Sequence, residues 1–170
     1  DSLISNWMSE QNGIKFLDKK TIPGKILQKL RYGENPHQES RVFEIVNNKK
    51  GFSNLNQIQG KELSHNNYLD SFNAYSLVND FNKQSKVCAI IKHNNPCGCA
   101  SDTNGLKAYL NALSGDPTSA FGGVVAFNYS IDEGIATEIV KTFYEVILTP
   151  KVSDEAKKIL SSKKNLRVLE

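Results

Sequence analysis

The stretch Ala89-Ile90-Ile91-Lys92-His93-Asn94-Asn95-Pro96-Cys97-Gly98-Cys99 sets an apolar run directly against a Lys-His pair and a turn. From Val87 to Ile91 the chain is short, apolar and rich in β-branched residues, which reads as a buried strand. Pro96 cannot donate to a ladder and Gly98 permits positive φ, so the chain is expected to leave the sheet near Asn94 or Asn95. Lys92 and His93 then stand at the carboxyl end of a strand. In open α/β sheets that edge is where ligands bind, and a cation beside a titratable imidazole there points to chemistry. Neighbours on a regular strand face opposite ways, so both side chains can serve one ligand only if the turn begins at His93. Two readings stay open at this point: a chemical site, or a solvated lysine beside a histidine satisfied by the turn backbone.

Beyond Lys92 the pattern alternates between strand and helix. Leu106, Tyr109, Leu110 and Leu113 mark one helical face, with Asp102 or Thr103 as its cap. Residues 123–127 form a run short enough for a buried strand. Ser130-Ile131-Asp132-Glu133 reads as a capping box opening a helix that turns Ile135, Ala136, Ile139, Val140 and Phe143 inward. Residues 146–148 are the next strand, ended by Pro150. Ser153 caps a short helix with Ala156, Ile159 and Leu160 toward the core, and residues 166–169 form a last strand. Upstream, residues 41–46 add a strand, and 68–81 read as a helix with Leu69, Phe72, Tyr75 and Val78 as its core stripe. The expectation is an α/β fold: layered α/β/α, with a mostly parallel or mixed sheet.

Composition narrows the function classes. At 170 residues and 39% hydrophobic, the chain can bury a core without staples. The 21 basic and 18 acidic residues leave a net charge of +3, too mild to argue for nucleic acid. The lysine pairs Lys49-Lys50, Lys157-Lys158 and Lys163-Lys164 read as solvated surface. No apolar stretch approaches the roughly eighteen residues of a membrane span, and no signal-peptide pattern opens the chain. Three cysteines, two separated by one glycine, make no disulfide framework and fit a reducing, cytoplasmic setting.

Other stretches bear on the Lys-His pair. Leu30-Arg31-Tyr32-Gly33-Glu34-Asn35-Pro36-His37-Gln38 resembles the signature that opens the transformylase part of the bifunctional AICAR transformylase/IMP cyclohydrolase family, and Lys92-His93-Asn94-Asn95-Pro96-Cys97-Gly98 resembles that family's catalytic loop. The runs Gln59-Gly60-Lys61-Glu62-Leu63-Ser64-His65-Asn66-Asn67-Tyr68-Leu69-Asp70 and Ser114-Gly115-Asp116-Pro117-Thr118-Ser119-Ala120-Phe121-Gly122-Gly123-Val124-Val125-Ala126-Phe127-Asn128 match further motifs, in the family's order. Several motifs in register are a specific signal where one alone is not. Family members are much longer. The resemblance therefore implies a fragment: residues 1–29 as an interdomain connector, and 30–170 as the first, cytidine-deaminase-like lobe of the transformylase domain. Trp7 and Met8 are expected to make a hydrophobic contact with a neighbouring part.

The resemblance further implies formyl transfer from 10-formyltetrahydrofolate to the amine of 5-aminoimidazole-4-carboxamide ribonucleotide (AICAR), in a homodimer that is also an IMP cyclohydrolase. The amine is a poor nucleophile, because its lone pair is drawn into the ring and carboxamide. His93 would take its proton as general base, while Lys92 would stabilise the oxyanion or protonate the departing folate nitrogen. Arg31 and Tyr32 carry over as nucleotide contacts, the guanidinium matched to phosphate. Phe121 and Gly122 carry over beside the bound base, and Glu145 as an acidic ligand contact. Two further contributors belong to a second lobe, so these 170 residues alone are expected to be inactive.

His93, Cys97 and Cys99 also invite a metal reading. Zinc deaminases need His-x-Glu and Pro-Cys-x-x-Cys, whereas His93 is followed by Asn94-Asn95 and the two cysteines are one residue too close. No metal is expected. A zinc-dependent deaminase of the same fold class and a non-catalytic nucleotide-binding module are the alternatives.

Overall fold

The computed structural model describes residues 1–14, 21–46, 52–82 and 84–170. In chain order these form α1 (Ser2–Gln11), β1 (Gly24–Lys29), β2 (Arg41–Ile45), a 3₁₀ turn (Phe52–Asn54), β3 (Gln57–Gln59), α2 (His65–Asn79), β4 (Lys86–Lys92) and β5 (Asn95–Asp102). Then follow α3 (Gly105–Leu113), α4 (Pro117–Ala120), β6 (Gly123–Phe127), α5 (Glu133–Ile139), β7 (Tyr144–Leu148), α6 (Asp154–Leu160) and β8 (Arg167–Leu169). Lys49-Lys50 lie outside the described residues, as does part of the 1–29 segment.

Six strands make the main sheet in the order β3-β8-β7-β6-β4-β5. Alternation along each strand feeds two cores. Cys88, Ile90, Val125, Phe127 and Ile147 pack against α3, α5 and α6, while Val87, Ala89, Ile91, Val124 and Val146 pack against α2. Both faces are covered, so the strands are continuous apolar runs, and the layering is α/β/α as expected. Burial of one such isoleucine stabilises by roughly 1.5–3 kcal/mol. The helices begin where side chains accept their orphan amides: Ser64 from Asn67, Asn104 from Lys107, Asp132 from Ile135 and Ser153 from Ala156. Each cap is worth about 1 kcal/mol.

The sheet is mixed. The β6–β7 and β7–β8 ladders are parallel, but β4 runs antiparallel to both β5 and β6, and β3 antiparallel to β8. A two-residue connection at His93-Asn94 can join only antiparallel strands, so the chain turns there and returns along the edge instead of leaving the sheet. Pro96 is tolerated because β5 is an edge strand, beside a register shift at Ile90/Ile91. Gly98 does not have positive φ. A Cβ there would run into the carbonyl oxygen of Ala112, so glycine lets α3 close on the hairpin.

Several local expectations shift. The sheet-facing side of α2 is Asn67, Ser71, Ala74 and Val78, leaving Leu69 and Phe72 exposed. Phe52 gathers Tyr68, Phe72 and Tyr75 edge-on, and Phe52, Tyr68 and Tyr75 pack against the core beneath the helix. In α3, Ala108 and Ala112 are buried with Tyr109, and Leu110 is exposed. Its cap is Asn104, whose own amide donates to Asp102 at 2.7 Å. The Ser130 capping box gives way to Asp132, because buried Ile131 bridges to Val152 before the helix can start. That helix ends at Ile139, so Phe143 falls on a loop and stays exposed. Residues 41–45 do form a strand, but it pairs with β1 in a separate two-stranded sheet. Helix α1 has no buried residue, and Trp7 and Met8 are exposed.

Candidate active site at one sheet edge

Because β4 runs against β6, its carboxyl end lies at the amino ends of β6, β7 and β8. The rule that ligands gather at the carboxyl edge of parallel strands therefore does not apply to Lys92. Something more specific does. Ile91 pairs with Val124 and Gly123 with Tyr144, so one edge collects Lys92-His93, Phe121-Gly122 and Glu145. Lys92 and Glu145 are two strands apart, about 10 Å at the usual strand spacing.

The ammonium of Lys92 donates to the carbonyl of Phe121 at 2.6 Å. That contact fixes the lysine against a turn in which Gly122 has φ +76° and donates its amide to Phe143 at 2.7 Å. A side chain at Gly122 would be strained by this φ and would touch both the Phe143 ring and the Lys92 ammonium. The rings of Phe121 and Phe143 meet at 5.2 Å between centroids, on the rim of a cavity of about 350 Å³ that Thr142, Lys163 and Lys164 also line. His93 is exposed at φ 53°, and Asn94 follows at φ 63°. The turn thus begins at His93, as a shared role with Lys92 requires. The imidazole has no hydrogen-bond partner among the described residues, so both ring nitrogens are open to a ligand.

On the α2 face of the same edge, the Glu145 carboxylate accepts from Asn67 Nδ2 at 2.7 Å and lies 3.9 Å from the Arg167 guanidinium. Arg167 in turn donates to the Glu62 carbonyl at 3.0 Å. The carboxylate is oriented yet still partly open to solvent.

Arg31 and Tyr32 sit on a separate exposed loop. Its shape comes from Gly33 donating to the Gln38 carbonyl at 2.8 Å and the Asn35 amide donating to Gln38 Oε1 at 2.9 Å, with buried Leu30 as anchor. The guanidinium carbon stands 5.8 Å from the Tyr32 ring centre, and Arg31 has no carboxylate partner among the described residues. Such an unpaired planar cation suits a phosphate. No hydrogen bond, ion pair or ring contact joins this loop to Lys92 or His93 among the described residues. The connection is α2: His65 Nδ1 and Ser40 Oγ are 3.1 Å apart, and Asp70 accepts the Asn94 amide at 2.7 Å. These tethers are five residues apart on the helix, roughly 8 Å along its axis.

Helix α2 supplies what the sequence reading missed. Asn67, Asp70 and Asn73 recur every third residue and reach Glu145 and Asn94. The available signal was this polar row, together with Ser64 and Asn67, which form a reciprocal capping box.

Among the described residues no group of three or more His, Cys, Asp and Glu side chains is placed to hold a metal. Burial holds Cys88, Cys97 and Cys99 above the usual thiol range. No described helix is long and apolar enough to cross a membrane.

The profile of the family described as AICARFT/IMPCHase bienzyme matches residues 1–170. The bifunctional purine biosynthesis protein PurH of Bradyrhizobium diazoefficiens is 45% identical over 170 residues, covering 99% of this chain and 32% of that protein. The PurH of Caldicellulosiruptor saccharolyticus is 44% identical over 173 residues, covering 99% and 33%. The chain spans about a third of the length of these curated relatives. Among solved structures, Acinetobacter baumannii RibD, form 1, matches with a TM-score of 0.48 at 14% identity over 59% of this chain and 34% of its own, too partial to bear on function.

Proposed function

This chain belongs to the AICARFT/IMPCHase bienzyme family, and we propose that in the complete protein its Lys92-His93 edge carries formyl transfer from 10-formyltetrahydrofolate to AICAR. One observation carries the reading: Lys92, from one motif, donates to Phe121, from another, at 2.6 Å, beside an imidazole with no hydrogen-bond partner among the described residues. A cation and a base at one edge are what the reaction requires.

In the proposed step the AICAR amine nitrogen attacks the formyl carbon. His93 takes the proton the amine must lose, which makes a delocalised lone pair available for bonding. Negative charge develops on the formyl oxygen, and Lys92 is aimed where it can be stabilised. As the tetrahedral intermediate collapses, the bond to the folate nitrogen breaks and that nitrogen takes a proton from Lys92, with the proton on His93 restoring the lysine, or directly from His93, giving the formamide and tetrahydrofolate. Lys92 already has one carbonyl acceptor, so the Phe121 contact limits its search.

The proposed substrate contacts divide by charge. Arg31 takes the phosphate, with Tyr32 stacked beside it. Glu145, held by Asn67, accepts hydroxyl or amine protons of the ribonucleotide. Gly122 lets the base approach the backbone. The rest of the longer protein would contribute the remaining folate contacts, the IMP cyclohydrolase activity and the homodimer, and the setting would be cytoplasmic.

The test is steady-state formyl transfer by the complete protein. His93→Ala and Lys92→Ala are each expected to lower kcat by about 10²–10⁴-fold, with nucleotide affinity changed far less. Near wild-type transfer by either variant would remove that residue from the mechanism.

A further inference from the structure

The turn that presents His93 is strained and externally held. A two-residue hairpin turn with φ of 53° and 63° has the pattern that favours Asn-Gly, because both positions are left-handed. Here they are His93 and Asn94. Asparagine tolerates that region and histidine does so less readily, so the sequence of the turn does not by itself secure its shape. Nor does the imidazole help, since it has no hydrogen-bond partner among the described residues.

What secures the turn comes from α2, more than twenty residues earlier in the chain. The Asp70 carboxylate accepts the Asn94 amide at 2.7 Å, a charge-assisted bond to a donor that faces away from the hairpin ladder. One helical turn on, Asn73 Nδ2 donates to Asn94 Oδ1 at 3.0 Å, so backbone and side chain of the same residue are gripped from one helix face. Asn95 Nδ2 closes the other side on the His93 carbonyl at 2.9 Å. The helix is itself fixed to the sheet by buried Ala74 and Val78. A path therefore runs from the core, through Asp70, to the backbone that aims His93.

We propose that Asp70 is a positioning residue for His93, acting through the Asn94 amide, with Asn73 as its second grip. The proposal rests on the reading of His93 as the base. Asp70 accepts a backbone N–H in this arrangement and moves no proton. A neutral carbonyl oxygen at the same place can serve the same purpose.

The experiment compares Asp70→Ala and Asp70→Asn in the complete protein, measuring formyl transfer and hydrogen exchange at the Asn94 amide. Asp70→Ala is expected to lower kcat by about 10–100-fold with little change in KM for the ribonucleotide, and to speed Asn94 exchange at least tenfold. Asp70→Asn should recover most of both losses. A loss as deep in Asp70→Asn as in Asp70→Ala would mean that Asp70 acts on substrate or proton directly and would overturn the proposal. A wild-type rate in Asp70→Ala would overturn it too. If the unaltered protein transfers no formyl group, the proposed function fails, and the exchange arm still decides the clamp: faster Asn94 exchange in Asp70→Ala supports it, and unchanged exchange refutes it.

Discussion

The two regions that the proposed site draws on are held in opposite ways. Strand β4 delivers Lys92 and His93 from the middle of the molecule, with Val87 through Ile91 at 0–1% exposure between two layers of helices. Strands β1 and β2 flank the Arg31 loop from a two-stranded sheet in which Ile26, Leu27, Phe43 and Ile45 are all exposed. The first region is placed by packing. The second is placed by a few tethers: buried Leu30, the Ser40–His65 contact, and Tyr68 donating to Gln28 at 2.8 Å. A group that moves protons needs a fixed geometry, whereas a phosphate-binding cation can follow its ligand.

Three measurements would sharpen or break this contrast. The largest effect is expected from Ile90→Ala, which opens a cavity between β4 and α3 and should cost about 2–5 kcal/mol in a denaturation midpoint. The matched change Ile26→Ala in β1 should cost under about 0.5 kcal/mol, as at a surface site. Equal losses would show that the small sheet is as firmly built as the large one.

The next effect concerns alkaline stability. Tyr109 and Tyr144 are buried under the same edge with their hydroxyls 3.3 Å apart, and burial raises both phenols above the ordinary value of 10.0. The folded state holds these protons after the unfolded state has begun to lose them. Stability is therefore fully present below about pH 10 and falls as pH rises beyond it, by about 1.4 kcal/mol per pH unit for each such group. Tyr144→Phe should flatten that alkaline slope in denaturant midpoints taken from pH 8 to 11. An unchanged slope would locate the sensitivity elsewhere.

The smallest of the three effects belongs to the tethered loop. Arg31→Lys keeps the charge and loses the planar fork, so AICAR binding should weaken by about three- to tenfold while the nucleoside, which lacks phosphate, is much less affected. Calorimetry with both ligands distinguishes the cases. Equal weakening of the two would make Arg31 a support for the loop instead of a phosphate contact.

Much of the local structure was legible. The strands at 87–91, 123–127 and 146–148 and the Ser153 cap all follow from signals carried within a few residues: apolar runs and capping oxygens. The candidate residues other than Glu145 came from short motifs, and Lys92, Phe121 and Glu145 share one edge of the sheet. The stripe on α2 holds for Val78 and Tyr75 but not for Leu69 and Phe72, because helical spacing cannot fix where the buried side ends when both sides recur every three or four residues. Asn67, Asp70 and Asn73 went unread because their partners, Glu145 and Asn94, lie far along the chain.

What the amino-acid sequence determined by itself was therefore the buried strands, the Ser153 cap and the chemistry available at the strand ends. Tertiary structure decided the direction of β4 against β6, the close approach for which Gly98 is small, and the grip of α2 on the hairpin turn. The physical reason is range. Periodicity and capping act between residues a turn apart, whereas strand direction, close approach and long-range hydrogen bonds arise only once distant segments have been brought together by burial of their apolar faces.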